Sequence, residues 1–316
     1  MFYKWAGDRD LDPLTAPVTQ VSQFLRFVAD TPWRGDELRS VQTVRGFRSA
    51  INSVHTGFAD GSTVSSNTVL SAFIKGLFNE RPPKKRLCPS WDLPLVLHHL
   101  NLPPYEPLED ATLRDLSVKT AFLVQLASGR RVSFTHALRI DQGFYQIHRE
   151  DDSVTLTPDL VLDKNQSPDF DPEPVTLANL GKISPRDECS CPVRALSIYR
   201  DRTKEVRRQS PHLFVISRPD YHRANKTTVS NWIKEAIGSA YKNASEGDFT
   251  RFRAHDTRGV AATWAHVSGM PLDSILRAAG WKARSTFVRH YLKRLPGGRP
   301  SFSESVILTA RAHSAN

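Results

Sequence analysis

One tyrosine, two arginines and one histidine occur along the chain in an order that suits chemistry at a phosphodiester. Arg131 ends a Ser-Gly-Arg-Arg segment, His255 and Arg258 form an H-x-x-R motif, and Tyr291 lies downstream of both. A tyrosine oxygen can attack phosphorus and keep the bond energy in a covalent intermediate, and two guanidinium groups match the phosphate oxygens. Because His255 precedes Arg258 by one helical turn, it lies on the same helix face and can accept the tyrosine proton or bond the phosphate.

Two further residues complete this set. Lys164 lies in a polar loop, where its ammonium group can protonate the departing 5′-oxygen. Trp281 follows a glycine and has an indole N–H that can donate to a non-bridging oxygen. Each residue alone is also consistent with a solvated side chain or a core position, so the prediction depends on the ordered set. That set predicts strand transfer with no metal and no cofactor.

The bulk composition indicates a soluble protein with a polyanionic partner. The formal net charge is +10, and 39% of the residues are hydrophobic, which favours a folded chain that binds DNA. The charge alone also fits an ordinary basic enzyme or one that binds anionic lipid. We expect no membrane span, because no apolar run is long enough, and the polar start of the chain is not typical of a signal peptide. The 3 cysteines suggest no disulfide framework, and the C-x-C pair lacks partners for a metal site.

Hydrophobic periodicity predicts an α+β, mostly helical fold with two domains. Residues 1–105 are predicted to form a helical bundle, and residues 106–316 a second domain with a small antiparallel sheet. The boundary is placed near residues 101–110, because three prolines within residues 103–107 stop helices and stiffen a connection. The predicted helices contain or span residues 18–28, 41–54, 69–78, 93–100, 113–127, 193–204, 228–241, 257–267, 272–279 and 284–292, and the predicted strands are 143–148, 153–157 and 174–177.

Basic residues outside the reactive set are candidates for DNA contacts, through phosphate oxygens or base edges. For the basic residues beyond residue 200, a solvated helix face is an equally good explanation. The basic triplet at residues 84–86 also fits a nuclear import signal. The candidates are Arg45 and Arg48 in the first domain, Lys84, Lys85 and Arg86 in the linker region, and Arg200, Lys204, Arg207 and Arg208 at helical spacing in the second domain.

The ordered set resembles the tyrosine recombinase (phage integrase) superfamily over nearly the whole chain. In that family an arginine follows a small-residue-glycine segment, as Arg131 does here, and a lysine lies on a β-hairpin loop, as Lys164 does. The H-x-x-R motif, a tryptophan after a glycine and the tyrosine nucleophile match the family as well. More narrowly, the chain resembles the recombinases of DIRS-type retrotransposons, through the segments 91–97, 119–131, 191–196 and 258–265.

This resemblance implies an N-terminal core-binding domain and a C-terminal catalytic domain around duplex DNA, acting as a dimer or tetramer. It implies a 3′-phosphotyrosyl intermediate, integration of a circular DNA copy, and a nuclear location in a eukaryote or otherwise a cytoplasmic one. The chain departs from the family pattern at Phe134, where an acid usually follows the first arginine, and in the spacing from Trp281 to Tyr291, which is longer than in many phage members. A type IB topoisomerase and a DNA-binding protein that has lost catalysis are alternatives.

Overall fold

The computed structural model describes residues 1–82, 91–160, 173–207, 210–244, 252–281, 283–288 and 292. The chain forms two compact units, Met1–Cys88 and Pro89–Asn316. Among the described helices, none combines the length and the apolar composition that crossing a membrane requires.

The first unit is a small helical bundle with one short hairpin. Ser40 and Asn67 begin two of its helices, because their side chains accept hydrogen bonds from the backbone of Thr43 and Leu70. The core is aromatic around Phe24. The elements are α1 (Phe2–Gly7), α2 (Val18–Asp30), β1 (Pro32–Arg34), β2 (Glu37–Leu38), α3 (Val41–Asn52) and α4 (Thr68–Glu80).

The second unit is a larger α+β assembly built around one buried helix. Its elements are α5 (Leu93–Leu100), α6 (Leu113–Ser128), α7 (Val132–Ala137), β3 (Tyr145–His148), β4 (Ser153–Leu156), β5 (Val175–Leu177), α8 (Leu180–Ile183), a 3₁₀ helix (Pro185–Ser190), α9 (Pro192–Thr203), α10 (Lys226–Ala244), α11 (Asp256–Val267), α12 (Leu272–Ala279) and α13 (Arg284–Thr286). Thr112 caps α6 by accepting from the Asp115 N–H, and α6 is buried over most of its length between α9 and α10. It therefore forms the centre of this unit's core.

The sheet is antiparallel in the order β3-β4-β5. Val154 lies opposite Ile147 on one neighbour and Leu177 on the other. Val154 and Leu156 are buried while Ile147 is exposed, so β4 anchors the sheet to the core. The α+β, mostly helical fold predicted from periodicity is confirmed, including the three strands.

The boundary between the units lies earlier in the chain than the proline-rich segment at which it was predicted. The helix α5, which the prediction assigned to the first bundle, packs on α10. The Asp92 N–H donates to the Tyr241 hydroxyl at 2.6 Å, and His99 Nε2 lies 3.1 Å from the Ser239 hydroxyl. The prolines of residues 103–107 therefore lie inside the second unit rather than between the units.

A buried ion pair fixes the segment between α5 and α6. Lys119 Nζ donates to the Leu100 carbonyl at 2.7 Å and to Glu106 Oε1 at 2.5 Å, and Arg194 on α9 donates to the same oxygen at 2.9 Å. Burial alone would raise the pKa of Glu106, but the hydrogen bonds from Lys119 and Arg194 outweigh it and hold the pKa below its usual value. The carboxylate therefore stays ionised and joins α6 to α9.

Candidate active site

The connection between α6 and α7 is a sharp turn that carries two consecutive arginines. Gly129 ends α6 in the left-handed conformation, with a φ of 60°, which glycine adopts without steric cost. Gln125 holds the turn from α6, because its Nε2 donates to the Arg130 carbonyl at 2.6 Å and its Oε1 accepts from the Thr135 hydroxyl at 2.7 Å. The backbone from which Arg130 and Arg131 project is thereby fixed.

The two arginines lie in different surroundings. Arg130 is only 8% exposed, whereas Arg131 is half-buried at the N-cap position of α7. No hydrogen bond or ion pair joins the Arg131 guanidinium to another residue in the part of the chain that the structure describes. The planar fork of an arginine suits the oxygens of a phosphate.

The start of α11 carries the H-x-x-R motif. His255 is the exposed N-cap residue, and Arg258 in the first turn is 1% exposed. Arg258 Nη2 donates to the Ala279 carbonyl at 2.5 Å, and its guanidinium carbon lies 4.5 Å from the centroid of the Trp281 ring. The hydrogen bond and the cation–π contact orient the fork from the end of α12.

The turn formed by residues 279–281, here called the tryptophan turn, brings distant parts of the chain together. Gly280 ends α12 in the left-handed conformation, with a φ of 65°, and a Cβ at this position would overlap Nη1 of Arg130. Trp281 is 7% exposed, and its ring lies 5.6 Å from the ring of Phe287. Arg130 and Arg258 therefore contact the same turn, one from the α6–α7 connection and the other from α11.

Phe134, three residues after Arg131, packs against Arg130. The guanidinium carbon of Arg130 lies 5.8 Å from its ring centroid. A carboxylate reaches this arginine from the sheet side instead: Arg130 Nη2 donates to the Glu173 carbonyl at 3.3 Å and lies 3.9 Å from Glu173 Oε2. The Glu173 carboxylate, at 3.9 Å and 65% exposed, is thus a weak partner of Arg130.

Sequence reasoning missed Arg130. The predicted set contains Arg131 and not its neighbour Arg130. One feature of the sequence could have indicated such a contact, namely the glycine directly before Trp281. Glycine allows a left-handed backbone and also lets another group approach closely. The sequence offers no way to identify the group that approaches.

Several predicted residues lie outside the described residues. These are Tyr291, Lys164, Lys84, Lys85, Arg86 and Arg208. Their roles stay predictions from the sequence.

The basic face predicted on α3 divides into an exposed part and a structural part. Arg45 is exposed. Arg48 instead donates to the Val64 carbonyl at 2.9 Å, the Ser65 carbonyl at 2.6 Å and the Ser71 hydroxyl at 3.0 Å. Arg48 therefore ties α3 to the segment before α4, and Arg45 is the member of the pair that faces solvent.

The basic ridge predicted beyond residue 200 is corrected at Arg207. This residue is 4% exposed, and its Nη1 donates to the His212 carbonyl at 2.7 Å. It is buried because α9 ends at Thr203, so the chain turns inward before Arg207. Lys204 is exposed and Arg200 half-buried, with the Arg200 guanidinium carbon 5.5 Å from the Tyr145 ring centroid.

One cysteine of the C-x-C pair, Cys191, has a structural role. The Cys191 thiol is buried, accepts the Leu180 N–H at 3.2 Å and the Arg194 N–H at 3.5 Å, and so caps α9. Cys189 is half-buried. No group of three potential metal ligands converges within the described ranges.

A second basic cluster joins α7 to the segment before α10. Arg223 Nη2 lies 2.7 Å from Nε2 of His136, which accepts its hydrogen bond. Burial, followed by the charges of Arg223, His212 and Lys226, lowers the pKa of His136 to about 4. His136 is therefore neutral near pH 7.

No protein-family model and no curated protein matches the chain, but solved structures do. The XerH site-specific recombinase, in a post-cleavage complex with a palindromic difH substrate, has a TM-score of 0.57 and 12% identity, over 100% of this chain and 77% of the other. The Tn1549 transposon integrase has a TM-score of 0.57 and 10% identity in one complex with circular intermediate DNA, over 96% and 87% of the two chains. In another such complex the values are 0.51 and 9%, over 94% and 86%. The chain therefore has the fold of these recombinases.

Proposed function

We propose that the chain is a site-specific DNA strand transferase that cuts and rejoins duplex DNA through a 3′-phosphotyrosyl intermediate. The observation that carries the proposal is the meeting of Arg130 and Arg258 at the tryptophan turn, with Arg131 next to Arg130 in the sequence. Oriented cations of this kind stabilise the charge that develops in a phosphoryl transition state.

The proposed reaction is an in-line exchange of two oxygens at phosphorus. The Tyr291 oxygen forms a bond to phosphorus while the bond to the 5′-oxygen breaks. His255 accepts the tyrosine proton, and Lys164 protonates the departing 5′-oxygen. Arg131 and Arg258 neutralise the charge on the non-bridging oxygens, and Trp281 packs against the latter. Attack by a 5′-hydroxyl on the phosphotyrosine reverses these steps and rejoins the strand.

The cellular role that we propose is integration of a circular DNA copy of a mobile element of the DIRS type, in the nucleus of a eukaryote, by a DNA-bound dimer or tetramer. Support comes from the sequence resemblance of the segments 91–97, 119–131, 191–196 and 258–265 to those recombinases, and three of these segments lie in contact. Trp91 lies 5.8 Å from the Phe122 ring, and Lys119 and Arg194 share the Glu106 carboxylate. Three of the four segments thus contribute to one part of the core.

The test is covalent capture on a nicked duplex. DNA that flanks the coding sequence is nicked next to each candidate cleavage position, so that the released fragment diffuses away and the protein stays attached. We expect an adduct that forms in the presence of a chelator and maps to Tyr291 by peptide analysis. Tyr291→Phe should bind the same DNA and form no adduct.

Other outcomes discriminate between functions. An adduct at a different residue would contradict the assignment of the nucleophile. Salt-sensitive binding without any adduct would favour a DNA-binding protein that has lost catalysis.

A further inference from the structure

We propose that Arg130 is a positioning residue: its side chain fixes the position of the tryptophan turn relative to Arg131, the next residue in the sequence and the proposed phosphate ligand. The inference rests on the proposed function, since the position of the turn relative to Arg131 matters for strand cleavage. The α6–α7 connection carries Arg131, whereas the tryptophan turn precedes Tyr291 by ten residues in the sequence. The Arg130 side chain reaches from the first part to Gly280 in the second.

The main chain of Arg130 is fixed, so its side chain has a defined origin. Its carbonyl accepts from Gln125 Nε2 at 2.6 Å, and its N–H donates to the Ser128 hydroxyl at 3.4 Å. Gln125 and Ser128 are both buried members of α6. Movement of Arg130 would therefore break contacts with the central helix of the unit.

The tryptophan turn is shaped to receive this guanidinium. Gly280 is required there for two separate reasons: its φ of +65° is unfavourable for other residues, and a Cβ would overlap Arg130 Nη1. The turn at Gly280 therefore fits the guanidinium of Arg130 specifically. From α11, Arg258 holds the adjacent Ala279 carbonyl, so two arginines clamp one turn.

The aromatic ring at position 134 supports the same arrangement. The Phe134 ring packs against the guanidinium of Arg130, whose carbon lies 5.8 Å from the ring centroid. The nearby acid, Glu173, is 3.9 Å from Arg130 and its side chain is 65% exposed, so the pairing is weak. The Phe134 ring and the Glu173 carbonyl therefore border the guanidinium that contacts the turn.

The experiment combines Arg130→Met with Gly280→Asn. Methionine keeps much of the length of arginine but removes the fork, and asparagine tolerates a left-handed backbone while adding the Cβ that displaces Arg130. The matched control is Gly269→Asn, because Gly269 also has a positive φ, of +88°, yet a Cβ there would meet nothing within 4 Å. The readouts are the single-turnover rate of adduct formation at saturating DNA, the DNA affinity, and amide hydrogen exchange at Gly280 and Trp281.

We expect Arg130→Met and Gly280→Asn each to lower the single-turnover rate about 100-fold, the effect of a displacement of roughly 1 Å in an active site. DNA affinity should stay within about twofold, the scatter of independent sites. The double variant should be no slower than Arg130→Met, because the clash is absent without the guanidinium. Exchange at the two amides should rise in both single variants and stay unchanged in Gly269→Asn.

Three results would overturn the inference: wild-type cleavage in Arg130→Met, multiplicative rate losses in the double variant, or unchanged amide exchange. If Arg130→Met does not fold, Arg130→Lys and Gly280→Asn give the same comparison, since lysine lacks the planar fork. A wild-type chain that forms no adduct would instead refute the proposed function, and the exchange measurement alone then decides whether Arg130 holds the turn.

Discussion

The guanidinium of Arg258 lies 4.5 Å from the ring centroid of Trp281 and donates to the carbonyl two residues before that ring. Both side chains are buried, so the orientation of the arginine is set by α12 rather than by solvent. An arginine held in this way retains the geometry of its fork before a phosphate arrives. In the proposed reaction, this preorganisation would reduce the reorganisation needed in the transition state.

Replacement of Arg258 by lysine should therefore damage cleavage more than folding. Lysine keeps the charge but lacks the planar fork and stacks less well on the indole. We expect the single-turnover rate of adduct formation to fall by about 100-fold to 1000-fold, with DNA affinity near that of the wild type. The control is Arg186→Lys, on the exposed surface of the 3₁₀ helix, which should leave the rate unchanged. A wild-type rate in Arg258→Lys would remove this residue from the site.

The sequence predicted the helices that combine a clear hydrophobic period with a capping residue or glycine at an end. The bounds of α5 and α12 agree with the prediction, because Asp92 caps the first helix and Gly280 ends the second. The helix α7 was missed because six residues are too few to show a helical period. The early residues of α1 lacked a marker as well, since Met1 provides no side-chain cap.

The errors share a physical cause, which is that local signals do not report burial. The prolines after α5 stop a helix, but Tyr105 and Leu108 between and beyond them are 4% and 1% exposed and belong to the core. Likewise, the spacing from Arg200 to Arg207 is helical in sequence, yet α9 ends at Thr203. The contact of Arg130 with Gly280 depends on two segments far apart in the chain, so no local pattern contains it.

The buried lysine of α6 gives a prediction about stability. Lys119→Met would leave Glu106 with Arg194 as its remaining cationic partner and the Leu100 carbonyl without its donor. We expect the free energy of unfolding to fall by about 3 kcal/mol, as when one partner of a buried ion pair is removed, measured by urea denaturation. Lys182→Met is the matched control, because Lys182 pairs with Asp152 at the exposed surface and should cost less than about 1 kcal/mol. Equal losses in the two variants would contradict a structural role for the buried pair.

The depressed pKa of His136 makes stability depend on pH in a defined window. The folded-state pKa of about 4 lies below the ordinary value of 6.5, so the unfolded chain binds the proton more readily. Stability from this residue is therefore complete above about pH 6.5 and is lost as the pH falls toward 4. His136→Gln should flatten the pH dependence of the thermal midpoint in that window. Similar pH profiles in the two proteins would exclude His136 as the titrating group.

The same histidine can be titrated directly by NMR. Arg223→Leu removes the donor to His136 Nε2 and one of the repelling charges. We expect the pKa of His136 to rise, but to stay below 6.5, because burial is the largest cause of the shift and is retained. Arg218→Leu, at an exposed position on the same segment, should leave it unchanged. An unaltered pKa in Arg223→Leu would show that the observed hydrogen bond does not contribute.

The two arginines of α3 should separate DNA binding from folding. Arg45 is exposed, so Arg45→Ala should weaken DNA binding and reduce the slope of log affinity against log salt by about 1, the effect of one lost phosphate contact. Arg48 donates to Val64, Ser65 and Ser71, so Arg48→Ala should lower the free energy of unfolding by about 1–3 kcal/mol. Fluorescence anisotropy across a salt series and urea denaturation measure the two effects. Each variant serves as the control for the other, because both remove one arginine from the same helix. An unchanged salt slope in Arg45→Ala would show that this face of α3 does not meet the DNA backbone.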